Sequence, residues 1–212
     1  MMSEQSLLQN KIRGSLLGGA MGDALGCAIE FSSYEDIVAT YGANGIKRYE
    51  LQDGKARFSD DTQMSLFTAN GLLFAFTYNK MHGLMHWPAS YIREAYIEWY
   101  QTQQVDFGEI QNPKCWICGI PELYVSRAPG LTCLHSLRNL MNFKKVANDS
   151  KGCGGIMRVA PVAMLGASQK YDITDMTLLG SDAARLTHLH PMGFLPAGLM
   201  TYVLYQLLLL DG

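Results

Sequence analysis

The chain has 212 residues and a mass of 23.5 kDa, with 48% hydrophobic and 17% charged residues, zero mean hydropathy and a formal net charge of −2. An apolar share at the globular average, with charge below the usual ~25%, excludes a disordered chain and fits one soluble, core-forming domain. With 17 Lys+Arg against 19 Asp+Glu and no run of five like charges, nothing marks a nucleic-acid surface.

Leu8, Ile12, Leu16, Ala20 and Ala24 recur at helical spacing and predict a first helix. Residues 1–10 hold no basic region ahead of an apolar stretch, so no signal or transit peptide is expected. Gly14, Gly18, Gly22 and Gly26 form one stripe on this helix, and their cost predicts close backbone approach by another element. Tyr34 to Gly54 is polar and shows no convincing strand. Ser59 caps a second helix that carries Met64, Phe67, Leu73 and Phe74 towards Tyr78. A third begins near Pro88, with Ile92, Tyr96 and Trp99 on one face.

Asp106 to Gly130 reads as a loop with short helical turns, and helical spacing returns at Leu134, Leu137 and Met141. After the turn-rich Asn148 to Gly155 come Ile156 to Leu165, then a helix capped by Thr174 and running to the His188 region. Pro191 to Leu210 carries no charge and is long enough to span a membrane. Its Pro and Gly residues, its Thr201 and Gln206, and the lack of flanking Lys or Arg predict a buried helix without membrane insertion. Only two residues follow Leu210, so such a helix would lack a later element to cover it. Few segments alternate with period two, and the fold class expected is all-α. Five unevenly spaced cysteines, an odd number, fit a reducing cytoplasm and no secreted disulfide framework.

Ser59, Asp60, Asp61 and Thr62 place four oxygen-bearing side chains at a helix start. They read either as a cap with acids complementing the helix dipole or as ligands for a hard cation. Asp149 to Gly155 is a Gly-rich turn of the kind that offers backbone N–H groups to phosphate, although it lacks the Walker pattern. His188 and His190 follow a helix end whose last carbonyls an imidazole can cap, and Glu30 by itself reads as a solvated carboxylate. Cys115 and Cys118 form a C-x-x-C without a complete zinc spacing or a βαβ setting, so packing thiols are expected there over a zinc or redox role.

The order of four blocks is more specific than any one of them. They are Gly18-Gly19-Ala20-Met21-Gly22-Asp23-Ala24-Leu25-Gly26 with Glu30, Ser59-Asp60-Asp61-Thr62-Gln63-Met64, Lys151 to Pro161, and Thr187-His188-Leu189-His190-Pro191. From about Ile12 onward this succession resembles the ADP-ribosylglycohydrolase family. The resemblance implies a single-domain orthogonal helical bundle with two Mg²⁺ ions, sometimes Mn²⁺, at the base of a cleft for ADP-ribose. It implies hydrolysis of a glycosidic bond joining ADP-ribose to a protein side chain, with arginine expected, or to a related small molecule. Ser59, Asp60 and Asp61 would be metal ligands, and Glu30, Asp60 and Asp61 would serve catalysis. Ser150, Lys151, Gly152, Cys153, Gly154 and Gly155 would hold the diphosphate and ribose, with His188 lining the cleft. Asp23 and Arg158 would be supports or, equally, a buried charge pair.

The family's second metal-binding block, Asp-x-Asp-Thr or Asp-x-Asp-Ser, has no counterpart, because no Asp-x-Asp occurs in this sequence. The expectation is therefore a domain over 1–212 that is truncated at its C-terminus and completed by a missing segment or another chain. The alternative is a catalytically incomplete ADP-ribose-binding or immunity-type protein.

Overall fold

Eight α-helices account for most of the chain in this computed structural model, whose described residues run from 3 to 210. Met1, Met2, Asp211 and Gly212, read above at the two ends of the sequence, lie outside them. In order the helices are α1 (Glu4–Gly26), α2 (Tyr34–Tyr41), α3 (Asp60–His82), α4 (Ala89–Thr102), α5 (Leu131–Met141), α6 (Ala160–Gln169), α7 (Ile173–Arg185) and α8 (Pro191–Leu209). The fold is all-α, as its sequence predicts. Two-residue strands β1 (Leu51–Gln52) and β2 (Lys55–Ala56) pair antiparallel across Asp53 and Gly54. Both turn residues have positive φ, which the Asp-Gly pair tolerates.

Helix α2 lies in the polar segment 34–54, where the sequence predicts no element. Ser33 caps it by accepting from the Asp36 amide, and Glu35 and Asp36 suit its first turn, but none of its residues is buried. It therefore leaves no apolar periodicity in the sequence. Two boundaries also shift. Pro88 occupies the cap position before α4, and Asp172, rather than Thr174, caps α7 by accepting from the Thr174 amide at 2.8 Å.

One core joins α3 to α8, with Met64, Phe67, Ile92, Tyr96, Trp99, Leu137, Val159, Val162 and Leu179 sealed from solvent. Helix α3 packs on α4 and α6, and α8 packs on α7 and α6. The close approach expected of the α1 glycines occurs elsewhere. A Cβ on Gly14, Gly18, Gly19, Gly22 or Gly26 would meet nothing within 4 Å. On Gly198 it would lie 2.2 Å from Ser181 Oγ and 2.8 Å from the Thr177 carbonyl, so α7 and α8 meet through small residues.

Helix α8 is buried on one side only, through Gly193, Ala197, Gly198, Thr201, Tyr205 and Leu208. Its other side exposes Leu195, Leu199, Tyr202, Val203 and Leu207, which corrects the expectation of an enclosed helix. By length and composition it is apolar enough to cross a membrane, with about a third of it buried. Pro196 lies within it, one turn from the start, where few upstream carbonyls are affected.

Candidate functional site

The end of α1 and the start of α3 are tied by a single carboxylate. Both oxygens of Asp23 accept from the Ser59 amide, at 2.9 and 3.0 Å, and Oδ2 also accepts from the Thr62 amide at 3.0 Å and from the Thr62 hydroxyl. Ser59 adds the local cap, its Oγ accepting from the Asp61 amide at 3.1 Å. Two acceptors thus serve the amides that a helix start leaves unpaired. Asp23 and Arg158 form no charge pair: Asp23 faces α3, while Arg158 lies in the core.

That junction opens on a cleft of about 700 Å³. Gly19, Gly22 and Gly26 of α1 form one wall, Ser59, Asp61 and Thr62 of α3 another, and Cys153 and Met157 a third, with Glu30 and Cys27 at the edge. The C-terminal part of the glycine stripe, Gly22 and Gly26, together with Gly19, is therefore an open wall where side chains would occupy space, while Gly14 and Gly18 do not line the cleft.

The adjacent acids face different surroundings. Asp61 lines the cleft, whereas Asp60 is 4% exposed and accepts from the Gly130 amide at 3.2 Å. Burial pushes the Asp60 carboxyl up to about 7, the Gly130 hydrogen bond opposes this, and repulsion from Asp61 and Glu30 adds to it. Burial, then Asp23 and Glu30, push Asp61 up to about 6. Such crowding of acids favours either protons or a cation.

The Gly-rich loop and the histidine also come together. Cys153–Arg158 forms a 3-10 turn after Gly152. Ser150 is fixed by a bond from its amide to Asn148 Oδ1 at 3.2 Å, and its hydroxyl accepts from the Gly152 amide at 3.3 Å. Lys151, Gly152 and Cys153 are exposed, Gly154 is half-buried and Gly155 is buried. A Cβ on Gly155 would lie 2.7 Å from that of Ala184, and one on Gly154 would lie 3.0 Å from the His188 ring. His188 is 2% exposed and sits beneath the loop, away from the cleft walls, with Nδ1 2.8 Å from Thr187 Oγ1. Burial and then Arg158 hold its pKa down to about 4, so the ring is neutral at pH 7.

Sequence reasoning gave Asn148 no role of its own, placed His190 at the end of the preceding helix, and named Arg158 only as a support or half of a charge pair. Asn148 donates to Ser136 Oγ and the Thr187 carbonyl and accepts from the Leu189 amide, joining the loop to the segment after α7. His190 caps α8 through Nδ1. Arg158, fully buried, donates to the Ala183 carbonyl and Thr187 Oγ1 and lies 4.3 Å from the centre of the Tyr96 ring. A His before Pro is a weak cap signal, but Asn148 at a turn is a recognisable one.

Cys115 and Cys118 lie in the core, where Glu98 accepts from the amides of Lys114 and Cys115, both at 2.8 Å. Burial and Glu98 push the Cys118 thiol up to about 12 and Cys115 higher still, which disfavours the thiolates that zinc or redox chemistry needs.

A model of the ADP-ribosylglycohydrolase family matches residues 4–212. The chain belongs to that family. ADP-ribosyl-[dinitrogen reductase] glycohydrolase of Rhodospirillum rubrum is 25% identical to it over 193 residues, covering 87% of this chain and 53% of the relative. The chain thus spans about half the length of the curated relative it matches.

Among the described residues no three His, Cys, Asp or Glu side chains converge as a metal cage. The oxygen donors of Ser59, Asp60 and Asp61 nevertheless suit Mg²⁺, which keeps several waters and commonly takes one or two protein carboxylates.

Proposed function

We propose that this ADP-ribosylglycohydrolase-family chain hydrolyses the glycosidic bond linking ADP-ribose to a modified protein side chain, with arginine the preferred attachment. The observation that carries the reading is the cleft in which Glu30, from the segment after α1, and Ser59 and Asp61, from the start of α3, share a lining with Cys153 of the Gly-rich loop. The name of the R. rubrum relative supports the reaction class.

Ser59, Asp60 and Asp61 would hold Mg²⁺ or Mn²⁺, and such an ion, when bound, supplies Lewis acidity and lowers the pKa of a coordinated water. The loop from Ser150 to Gly155 would receive the diphosphate and ribose on its backbone amides, with Lys151 adding charge. The Asp60 and Asp61 carboxylates favour the positive charge that builds on the sugar as the glycosidic bond breaks. Glu30 accepts a proton from the attacking water and passes one to the leaving nitrogen. His188, neutral and packed under Gly152 and Gly154, keeps the loop in place. We place the reaction in the cytoplasm. The exposed side of α8 is read as a surface completed by a further segment or another chain.

The test is release of ADP-ribose from a protein ADP-ribosylated on arginine, with Mg²⁺ or Mn²⁺, by wild type, Glu30→Gln and Asp61→Asn. Turnover that falls at least a hundredfold in each variant supports the reading. The alternative reading is a module that retains ADP-ribose without turnover. ADP-ribose binding that is indifferent to chelator, with no release under any condition, would establish it instead.

A further inference from the structure

A second concavity lies at the C-terminal end of α5 and shares no lining residue with the cleft. It measures about 530 Å³ and is bounded by His135, Arg138, Asn139, Asn142, Lys144 and Ala147. Residues 135, 138, 139 and 142 fall on one face by helical spacing. No acid lines the concavity, and among the described residues neither Arg138 nor Lys144 has an ion-pair partner. In a chain of net charge −2 this is a local reversal of sign.

The chain is shaped to keep these groups free. Carbonyls at the end of α5 are satisfied by the chain itself: the Asn142 amide and side chain both donate to Arg138 O, and the Lys144 amide donates to Asn139 O at 2.8 Å. The cations are therefore not spent on capping. The turn that brings Lys144 back passes through Phe143 at φ +55°, a left-handed conformation usually reserved for glycine. Phe143, between the lining residues Asn142 and Lys144 in sequence, is 94% exposed and is not itself part of the lining.

We propose that this concavity binds a phosphate group, through charge-assisted hydrogen bonds from Arg138 and Lys144 and amide donors from Asn139 and Asn142. Free phosphate and a phosphate monoester carried on a planar base present the same chemistry, and Phe143 distinguishes them because only the latter has a ring to stack. The concavity has the size of a small-molecule site.

The test is titration of the purified chain with inorganic phosphate, and separately with AMP, in magnesium-free buffer of low ionic strength. Binding is followed by the ring resonances of His135, which locate it away from the cleft. Saturable shifts are expected that weaken about tenfold in Arg138→Gln and again in Lys144→Ala, the size of a charge-assisted hydrogen bond. They should be unchanged in Lys47→Ala, which removes an equal charge from another exposed position. If AMP binds more tightly than phosphate and Phe143→Ala abolishes that preference, the source is an organic phosphate; equal binding identifies the free ion. Shifts that do not saturate, that survive both variants, or that weaken equally in Lys47→Ala overturn the proposal. All four positions are exposed, so unchanged thermal unfolding serves as the check on folding.

Discussion

The carboxylate of Asp23, on α1, accepts hydrogen bonds from the backbone amides of both Ser59 and Thr62, so one helix caps another across 36 residues of sequence. The start of α3 carries Asp60 and Asp61, and their placement depends on this bond set. Asp23→Ala is expected to cost about 1–2 kcal/mol in urea unfolding, the value of an N-cap. Asp23→Asn, which keeps one carbonyl acceptor, should cost less. Equal unfolding midpoints for wild type and Asp23→Ala would show that α3 is held by packing alone.

His188 gives a pH signature. Its folded pKa, about 4, lies below the unfolded value of 6.5, so the unfolded chain binds the extra proton between those limits. Its stabilising contribution is therefore complete above pH 6.5 and is lost as pH falls towards 4. Asp60 and Asp61, raised to about 7 and 6, act in the opposite sense, their ionisation opposing folding as pH rises. Comparison with His188→Gln cancels the acids. The destabilisation caused by that substitution should be about 2 kcal/mol smaller at pH 5 than at pH 8. A pH-independent difference would mean that the ring titrates normally.

Glycines of the same composition should respond with opposite signs. Gly14 faces open space in α1, and Gly14→Ala is expected to stabilise by up to about 1 kcal/mol through helix propensity. Gly198→Ala brings a methyl group against Ser181 and the Thr177 carbonyl and should destabilise by about 1–3 kcal/mol. Thermal unfolding of the two variants separates an open helix face from a packing contact.

The thiols should divide by burial. Cys153 is exposed, Cys27 is half-buried with its thiol pushed up by burial and then by Asp23 and Glu30, and Cys115, Cys118 and Cys133 are buried. Ellman's reagent at pH 8 is expected to modify Cys153 fast and Cys27 slowly, and to reach the other three only after unfolding. Rapid reaction of Cys115 or Cys118 in the folded chain would revive the zinc or redox reading.

The long apolar helices were legible because their inward faces repeat at helical spacing, as Ile92, Tyr96 and Trp99 do in α4. Helix α2 was not, because it buries nothing and is signalled only by Ser33 and the acids after it. At the site, the Ser59 cap followed from local rules, whereas Asp23 as a second cap did not, since no local pattern encodes which carboxylate reaches a distant helix start. The α1 glycines were misjudged for a related reason. A small residue marks space that a side chain must not fill, and sequence alone does not say whether backbone or a cleft occupies it.

Arg158 stands buried at the centre of the molecule, and among the described residues none of its hydrogen-bond or ring partners carries a matching negative charge. Shielded from solvent and salt, its field reaches His188, which packs directly beneath Gly152 and Gly154. The glycine turn thus rests on an imidazole that this core cation helps to keep neutral, so the turn and the core are electrically coupled through His188.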